Sequence, residues 1–423
     1  MQEAFLHYVW NYKKIDVFDL KTTQHEPLEI ISGGRLNSNS GPDFFNGQLR
    51  IGNQLWAGNI EIHIKSSDWF VHGHEQDPSY DNVILHVVYE HDTEIYRHDN
   101  SIIPTLELKS IINKDLLDNY QRLFTAKNTW INCEKDFADV SNFVMTHWLE
   151  RLYFERLEHK SEYIEHLLKA TKNDWESVLF KLLTKTFGLK VNGDSFFSLA
   201  NSMDFSVIRK SQSNVLSLEA LFFGQSRLLS GNCDHSYYKE LQKEYHFLKQ
   251  KFQLENHGII PLQFFRLRPL NFPTIRLSQL ANLYFKEHHL FSKAMSIDKL
   301  SDYYALFEVS TSSFWESHYT FGKETKPSKK TITKSFVDLL LINVILPLKF
   351  YHAKQKMESK EDVIVEIIGK IASEKNSIVE GFNTLKQVSK SAMASQALIQ
   401  LKQNYCNKNK CLKCAIGNSL LSK

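Results

Sequence analysis

Between Leu28 and Leu108 stand LEIIS (28–32), GQLRIG (47–52), NIEIHIK (59–65), NVILHVVYE (82–90) and PTLEL (104–108). Each segment alternates or runs apolar with β-branched residues, and each is bounded by Gly, Asn, Asp or Pro, the types that make turns. Five such segments predict one mixed or antiparallel sheet. Upstream, Leu6, Val9 and Trp10 recur at i, i+3, i+4 with Phe5 beside them, so a short amphipathic helix over 3–13 is expected to pack on that sheet.

Downstream the period changes at about Leu116. The run FVMTHWLERLYFERLEHKSEYIEHLLK (143–169) sets apolar residues on one face and charges on the other, with Glu and Arg or Lys near i, i+4. Further helices are predicted at 174–187, 215–229, 235–254, 275–286, 336–356, 361–373 and 376–403. The lysine-rich stretch Lys323–Lys334 reads as an exposed loop or linker, and the lack of a fixed-period repeat argues against a solenoid. The expected fold is α+β: residues 1–115 form a mixed-sheet domain with a packed helix, and residues 116–423 form a large all-helical region.

The 423 residues are 42% hydrophobic and 13% aromatic, enough for two or three cores. Fifty-one basic against 48 acidic residues leave a charge of +3, so a nucleic-acid partner would have to meet a local basic surface. The start, MQEAFLHYVWNYKK, lacks the basic n-region and small-residue cleavage site of a signal peptide. The longest apolar stretch, Phe336–Phe350, is interrupted by Asp338, Asn343 and Pro347 and reads as a buried helix. Five cysteines, three of them at 406, 411 and 414, do not form an extracellular disulfide framework. The expected compartment is the cytoplasm.

Chemistry concentrates between Asp43 and His86. On a strand, residues two apart share a face, so Glu61, His63 and Lys65 present an acid, an imidazole and an amine in one row. Asp43 follows Pro42 just before another strand. Mg²⁺ or Mn²⁺ needs oxygen ligands and keeps several waters, so Asp43, Glu61 and the carbonyl of Ile62 would suffice. Alternatively, Asp43 caps a turn and Glu61 and His63 form an ordinary exposed strand face.

The order helix, strand, Pro-Asp, strand bearing Glu-x-Lys resembles the PD-(D/E)XK nuclease superfamily, in which acids hold the metal and the lysine orients the attacking water. That resemblance implies catalytic roles for Asp43 and Glu61, with His63 at the lysine position and Lys65 one residue pair further on. A second scheme comes from SSDWFVHGHEQDPSYDNVILHVVYEHD (66–92), where imidazoles crowd among carboxylates: His72, His74 and His86, with His63, are candidate ligands for a transition metal. Against it, Asp77-Pro78 and Asp81-Asn82 read as turns, and His86 as a core histidine.

The run GPDFFNGQLRIGNQLWAGNIEIHIKSSDWFVHGHEQDPSYDNVILHVVYEHD, with LRPLNFPTIRLSQLA (267–281) and YCNKNKCLKCAIG (405–417), resembles the bacterial family catalogued as domain of unknown function 2851. The similarity extends over nearly the whole chain. It implies one architectural unit rather than a fusion, and implies no particular reaction.

Two further features carry chemistry. Arg266, Arg268 and Arg276 flank two prolines, and guanidinium forks with a helix beginning near Thr274 would suit phosphate or a nucleic-acid backbone; alternatively they clamp Glu150 or Glu155. Cys406, Cys411 and Cys414 have the spacing C-x4-C-x2-C, which lets three thiolates converge on zinc or an iron–sulfur cluster, with Cys133 or Cys233 as the fourth ligand. Some PD-(D/E)XK nucleases carry a cluster of this kind, and the resemblance points to Cys133. Flanking Lys408, Lys410 and Lys413 are expected to lower the thiol pKa values. Reduced, unligated cysteines in a surface turn are the alternative. Three functions follow: a metal-dependent nuclease-like phosphodiesterase, a non-catalytic nucleic-acid or phosphate binder, and a metal-dependent hydrolase with histidine ligands.

Overall fold

The structure is a computed structural model and describes residues 1–125 and 129–423. All five predicted strands form, as β1 (Leu28–Ser32), β3 (Phe44–Ile51), β4 (Gln54–Lys65), β5 (Val83–Glu90) and β6 (Thr105–Glu107). A two-residue β2 (Arg35–Leu36), too short to show alternation, pairs with β3. The sheet runs β1-β3-β4-β5-β6. Its β1, β3 and β4 are antiparallel, whereas β4, β5 and β6 are parallel, so the sheet is mixed. Val83 to Val88 of β5 are all buried, as expected of a parallel strand covered on both faces.

Topology explains where the histidine-rich run goes. Antiparallel β3 and β4 are joined by the two residues Gly52-Asn53, but parallel β4 and β5 require a crossover. Residues 66–82 are that crossover, carrying α2 (Asp68–Val71) and two single 3₁₀ turns, His74–Gln76 and Pro78–Tyr80. Helix α1 (Glu3–Asn11) buries Phe5, Leu6, Tyr8, Val9 and Trp10 and packs against β4.

The chain divides into two compact units, Met1–Trp148 with Leu401–Lys423, and Leu149–Gln400. The sequence boundary at 115/116 therefore differs from the division by contacts, because α3 (Lys114–Thr125) and the C-terminal helix Ala415–Leu421 pack together in the sheet unit. Tyr120 of α3 stacks on Phe5 of α1 at 4.0 Å between ring centroids. Helix α4 (Asn142–Ala170) begins in this unit and continues into the next.

The second unit is helical except for the small hairpin His318–Thr320 with Lys323–Glu324. Its helices include four that periodicity did not pick out, Leu189–Asn201, Phe205–Ser211, Leu290–Ser296 and Leu300–Leu306. The single helix expected over 376–403 is instead Ser377–Leu385 and Ala392–Gln400; the Asn383 side chain accepts from the amides of Val388 and Ser389 and holds the break. Within Lys323–Lys334, read as an exposed loop, Lys330 is buried, its Nζ donating to the carbonyls of Trp315 and Glu316. The helix Lys334–Gln355 is long and apolar enough to cross a membrane, but 78% of its apolar window is buried inside the protein. It loosens to a π-turn at Leu341–Ile345, just before Pro347, whose ring supplies no N–H and crowds the preceding turn.

Candidate metal centre

The β3–β4 register sets the acids side by side. Phe44 pairs with Ile60, so Asp43 stands opposite Glu61 at the open end of the ladder. Their side chains interlock: the Asp43 amide donates to Glu61 Oε2 at 3.0 Å, and the Ile62 amide donates to Asp43 Oδ2 at 3.0 Å. Glu61 and His63 are both buried, the reverse of an exposed strand face.

The crossover then brings two more imidazoles over the same face. His74 Nε2 lies 3.4 Å from Glu61 Oε1, His63 Nε2 lies 3.6 Å from that same oxygen, and His72 Nδ1 lies 3.0 Å from His63 Nε2. The donor atoms of His63, His72 and His74 are all within 4.8 Å of one another. Gly73 makes this possible, because its φ of +71° turns the chain between α2 and the following 3₁₀ turn so that both flanking histidines converge. His74 is fixed further by stacking on Tyr80 at 3.8 Å and by the edge of buried Trp69.

A supporting layer stands behind these groups. His86 lies beside Glu61 in the parallel ladder, is wholly buried, and its Nε2 is 2.8 Å from His63 Nδ1. His86 Nε2 is thus engaged with His63, as in a hydrogen-bonded core histidine, and His86 Nδ1 has no hydrogen-bond partner among the described residues. Burial, reinforced by neighbouring imidazoles, pushes His63 down to about 2 and His86 down to about 3, so both rings are neutral. Burial also raises the Glu61 carboxyl.

Sequence reasoning missed Glu3 and His7. They sit four apart on the polar side of α1, a spacing that alone reads as a solvated helix face. His7 Nε2 lies 3.1 Å from Asp43 Oδ2; burial works to lower its pKa, but the bond to Asp43 outweighs this and the net shift is upward. Glu3 is raised by burial and by the Asp43 charge.

Other candidates fall elsewhere. Lys65 shares the strand face of Glu61 but is exposed at the end of β4, where its amide donates to Asp68. In the second unit, Arg266 and Arg268 are exposed, whereas Arg276 is buried. Arg276 donates to Gln279 Oε1 and Asn271 Oδ1, with its guanidinium 3.8 Å from the centroid of Phe336. Its partners are thus neutral amides and an aromatic face, and among the described residues it clamps no carboxylate. Burial lowers its pKa to about 10.

The four cysteines 133, 406, 411 and 414 line one cavity in the sheet unit, whereas Cys233 lies in the other unit. The expected lowering of their pKa values by Lys408, Lys410 and Lys413 does not occur. Those lysines are exposed, and burial instead pushes Cys406 up to about 12 and Cys411 up to about 11, with Cys133 and Cys414 also raised.

Among known proteins, a family model described as "Protein of unknown function (DUF2851)" matches residues 3–377. No curated protein matches the chain. No solved structure matches it either.

Proposed function

We propose that this chain, which belongs to the DUF2851 family of proteins of unknown function, is a metal-dependent hydrolase whose divalent metal is held by Glu61, His63, His72 and His74. One observation carries the reading: three imidazole nitrogens lie within 4.8 Å of one another, and a buried Glu61 oxygen lies 3.6 Å and 3.4 Å from two of them, those of His63 and His74. Ligands about 2.0–2.1 Å from a tetrahedral metal stand about 3.3 Å apart. The 3.0, 3.4 and 3.6 Å separations found here bracket that value. An imidazole-rich set favours Zn²⁺ or another transition ion over Mg²⁺.

A divalent ion in such a set polarises a substrate oxygen and acidifies water. The protein's own groups do the rest. With His63 donating from Nδ1 to His86 Nε2, the lone pair of His63 Nε2 faces the centre, which is how a supporting partner fixes a ligating tautomer. Asp43 holds Glu61 through its amide, and His7 Nε2 stands 3.1 Å from Asp43 Oδ2 beside the centre. Helix, strand, Pro42-Asp43, strand, then Glu61-x-His63 follow in the chain order of the nuclease resemblance, so a phosphodiester is the first substrate class to test. Mg²⁺ or Mn²⁺ on Asp43 and Glu61 is the second reading, supported by the bonds that set these two acids together.

The test is hydrolysis of a generic aryl phosphodiester, single-stranded DNA and RNA by metal-stripped protein resupplied with Zn²⁺, Mn²⁺ or Mg²⁺. Turnover is expected with Zn²⁺ or Mn²⁺, and Glu61→Gln, His63→Ala and His74→Ala should each lower it by more than about 100-fold. Turnover confined to Mg²⁺ and abolished by Asp43→Ala, with His74→Ala fully active, would move the site to the second reading. Nucleic-acid binding without turnover in any metal would make the chain a binding protein, with exposed Arg266 and Arg268 as the residues to replace next.

A further inference from the structure

The cavity lined by Cys133, Cys406, Cys411 and Cys414 has apolar walls, among them Ile131, Phe137, Leu401 and Ile416, and all four cysteines are free. Cys133, Cys411 and Cys414 are each at most 9% exposed. Four soft donors facing one apolar space, drawn from segments 270 residues apart, do not pack as ordinary small hydrophobes would, filling the space between them.

The polar groups around the sulfurs point the same way. The amides of Ile416 and Gly417 are directed at the Cys414 sulfur, and Asn132 is directed at Cys411. A ring of N–H donors suits thiolate sulfur, which accepts; a thiol would have its own proton to place. Gly417 is what lets the backbone fold this closely, because a Cβ there would meet the Cys411 carbonyl oxygen at 2.2 Å. The segment 411–417 is thus wrapped around its own sulfur.

Spacing separates the two metals such a site could hold. Zinc at about 2.3 Å from four thiolates brings their sulfurs within about 3.8 Å of one another. Among the described residues, no three cysteine sulfurs gather within 4.8 Å as the donor atoms of His63, His72 and His74 do, and a cavity lies between them instead. A cluster interposes iron and sulfide between its cysteines and holds each thiolate on a different iron.

We propose that Cys133, Cys406, Cys411 and Cys414 ligate a four-iron iron–sulfur cluster that fastens the C-terminal segment to the segment following α3. The cluster is independent of the hydrolase centre. Its assembly takes up ferrous and ferric iron in equal number together with sulfide, so that no oxidant is needed, and releases the thiol protons of the cysteines.

The full-length chain, purified without oxygen, is assayed for iron, acid-labile sulfide and zinc, before and after incubation with ferrous and ferric iron and sulfide. About four irons and four sulfides per chain are expected, with a visible chromophore bleached by dithionite. Cys133→Ala and Cys411→Ala should abolish the chromophore, while Cys233→Ala retains it. One zinc per chain without sulfide overturns the proposal, as does neither metal after reconstitution. A full complement in Cys133→Ala overturns the ligand set. The wild-type assay decides the cluster's existence even where a cysteine variant does not fold.

Discussion

His63 has both ring nitrogens in use, one toward His86 and one toward the proposed metal and His72. A ring held from behind is already oriented when its ligand arrives, so removing the support should weaken binding without removing a ligand. For His86→Ala, metal affinity is expected to fall about 10- to 100-fold, the usual cost of losing a supporting partner. Competition against a chromophoric chelator measures it. His86→Gln, whose amide oxygen accepts from His63 Nδ1, should recover part of the loss; affinity unchanged in His86→Ala would show that the ring only packs. At this scale the sequence was informative about identities and silent about roles. Glu61 and His63 stood out from strand alternation and Asp43 from its place after Pro42, but nothing in the spacing separated His86, which supports, from His72 and His74, which converge. That distinction depends on the β4–β5 register, which pairs Glu61 with His86.

Elements carrying one strong period were legible, because alternation with turn residues and a helical stripe are both written locally. The five strands and the long helix α4 are of this kind. The crossover was not: 66–82 has turn chemistry throughout, and its path over the Glu61 face follows from the parallel pairing of strands on either side. In the second unit, Leu189–Asn201 lacks a recognisable stripe because it carries Asn192, Gly193 and Ser195 on its buried side, where Asn192 exchanges bonds with the backbone of Gln263. A similar buried polar contact joins helices Val215–Gln225, Ser236–Phe252 and Pro273–Lys286: the Glu219 carboxylate accepts from Tyr237 and from Ser278 Oγ, the latter at 2.5 Å. Burial pushes Glu219 up to about 7 from an ordinary 4.5, despite those bonds. The folded protein therefore keeps a proton that the unfolded chain has released. This contribution to stability is full below the ordinary carboxylate range and is lost as pH rises through about 7, at about 1.4 kcal/mol per pH unit and about 3 kcal/mol in total. Glu219→Gln should remove that slope, so its denaturation midpoint relative to wild type rises between pH 5 and pH 8. A constant difference across that range would show that Glu219 is charged in both states.

The whole molecule places its last residues in its first core. Ile416, Leu420 and Leu421 are each at most 3% exposed, the C-terminal helix packs on α3, and Lys14 Nζ donates to Ser422 Oγ at 3.2 Å. The sheet unit is thus closed by a segment that follows all of Leu149–Gln400. Sequence alone attached this segment to the helical region, because contacts across that separation leave no local period. Burying three such aliphatic side chains contributes about 1.5–3 kcal/mol each, hence about 5–9 kcal/mol, against a typical domain stability of about 5–15 kcal/mol. Ending the chain at Gln400 removes these residues together with three of the four cavity cysteines. The sheet should then lose most of its stability even with the histidine centre intact in sequence. Native-state hydrogen exchange resolves this, since amides of β3, β4 and β5 report the sheet and those of Leu149–Gln400 serve as an internal reference. Protection in the three strands is expected to collapse toward that of surface amides in the shortened chain. Strand amides as slow as in the full chain would mean that residues 1–148 close their own core, and that the C-terminal segment is held there by the cysteines alone.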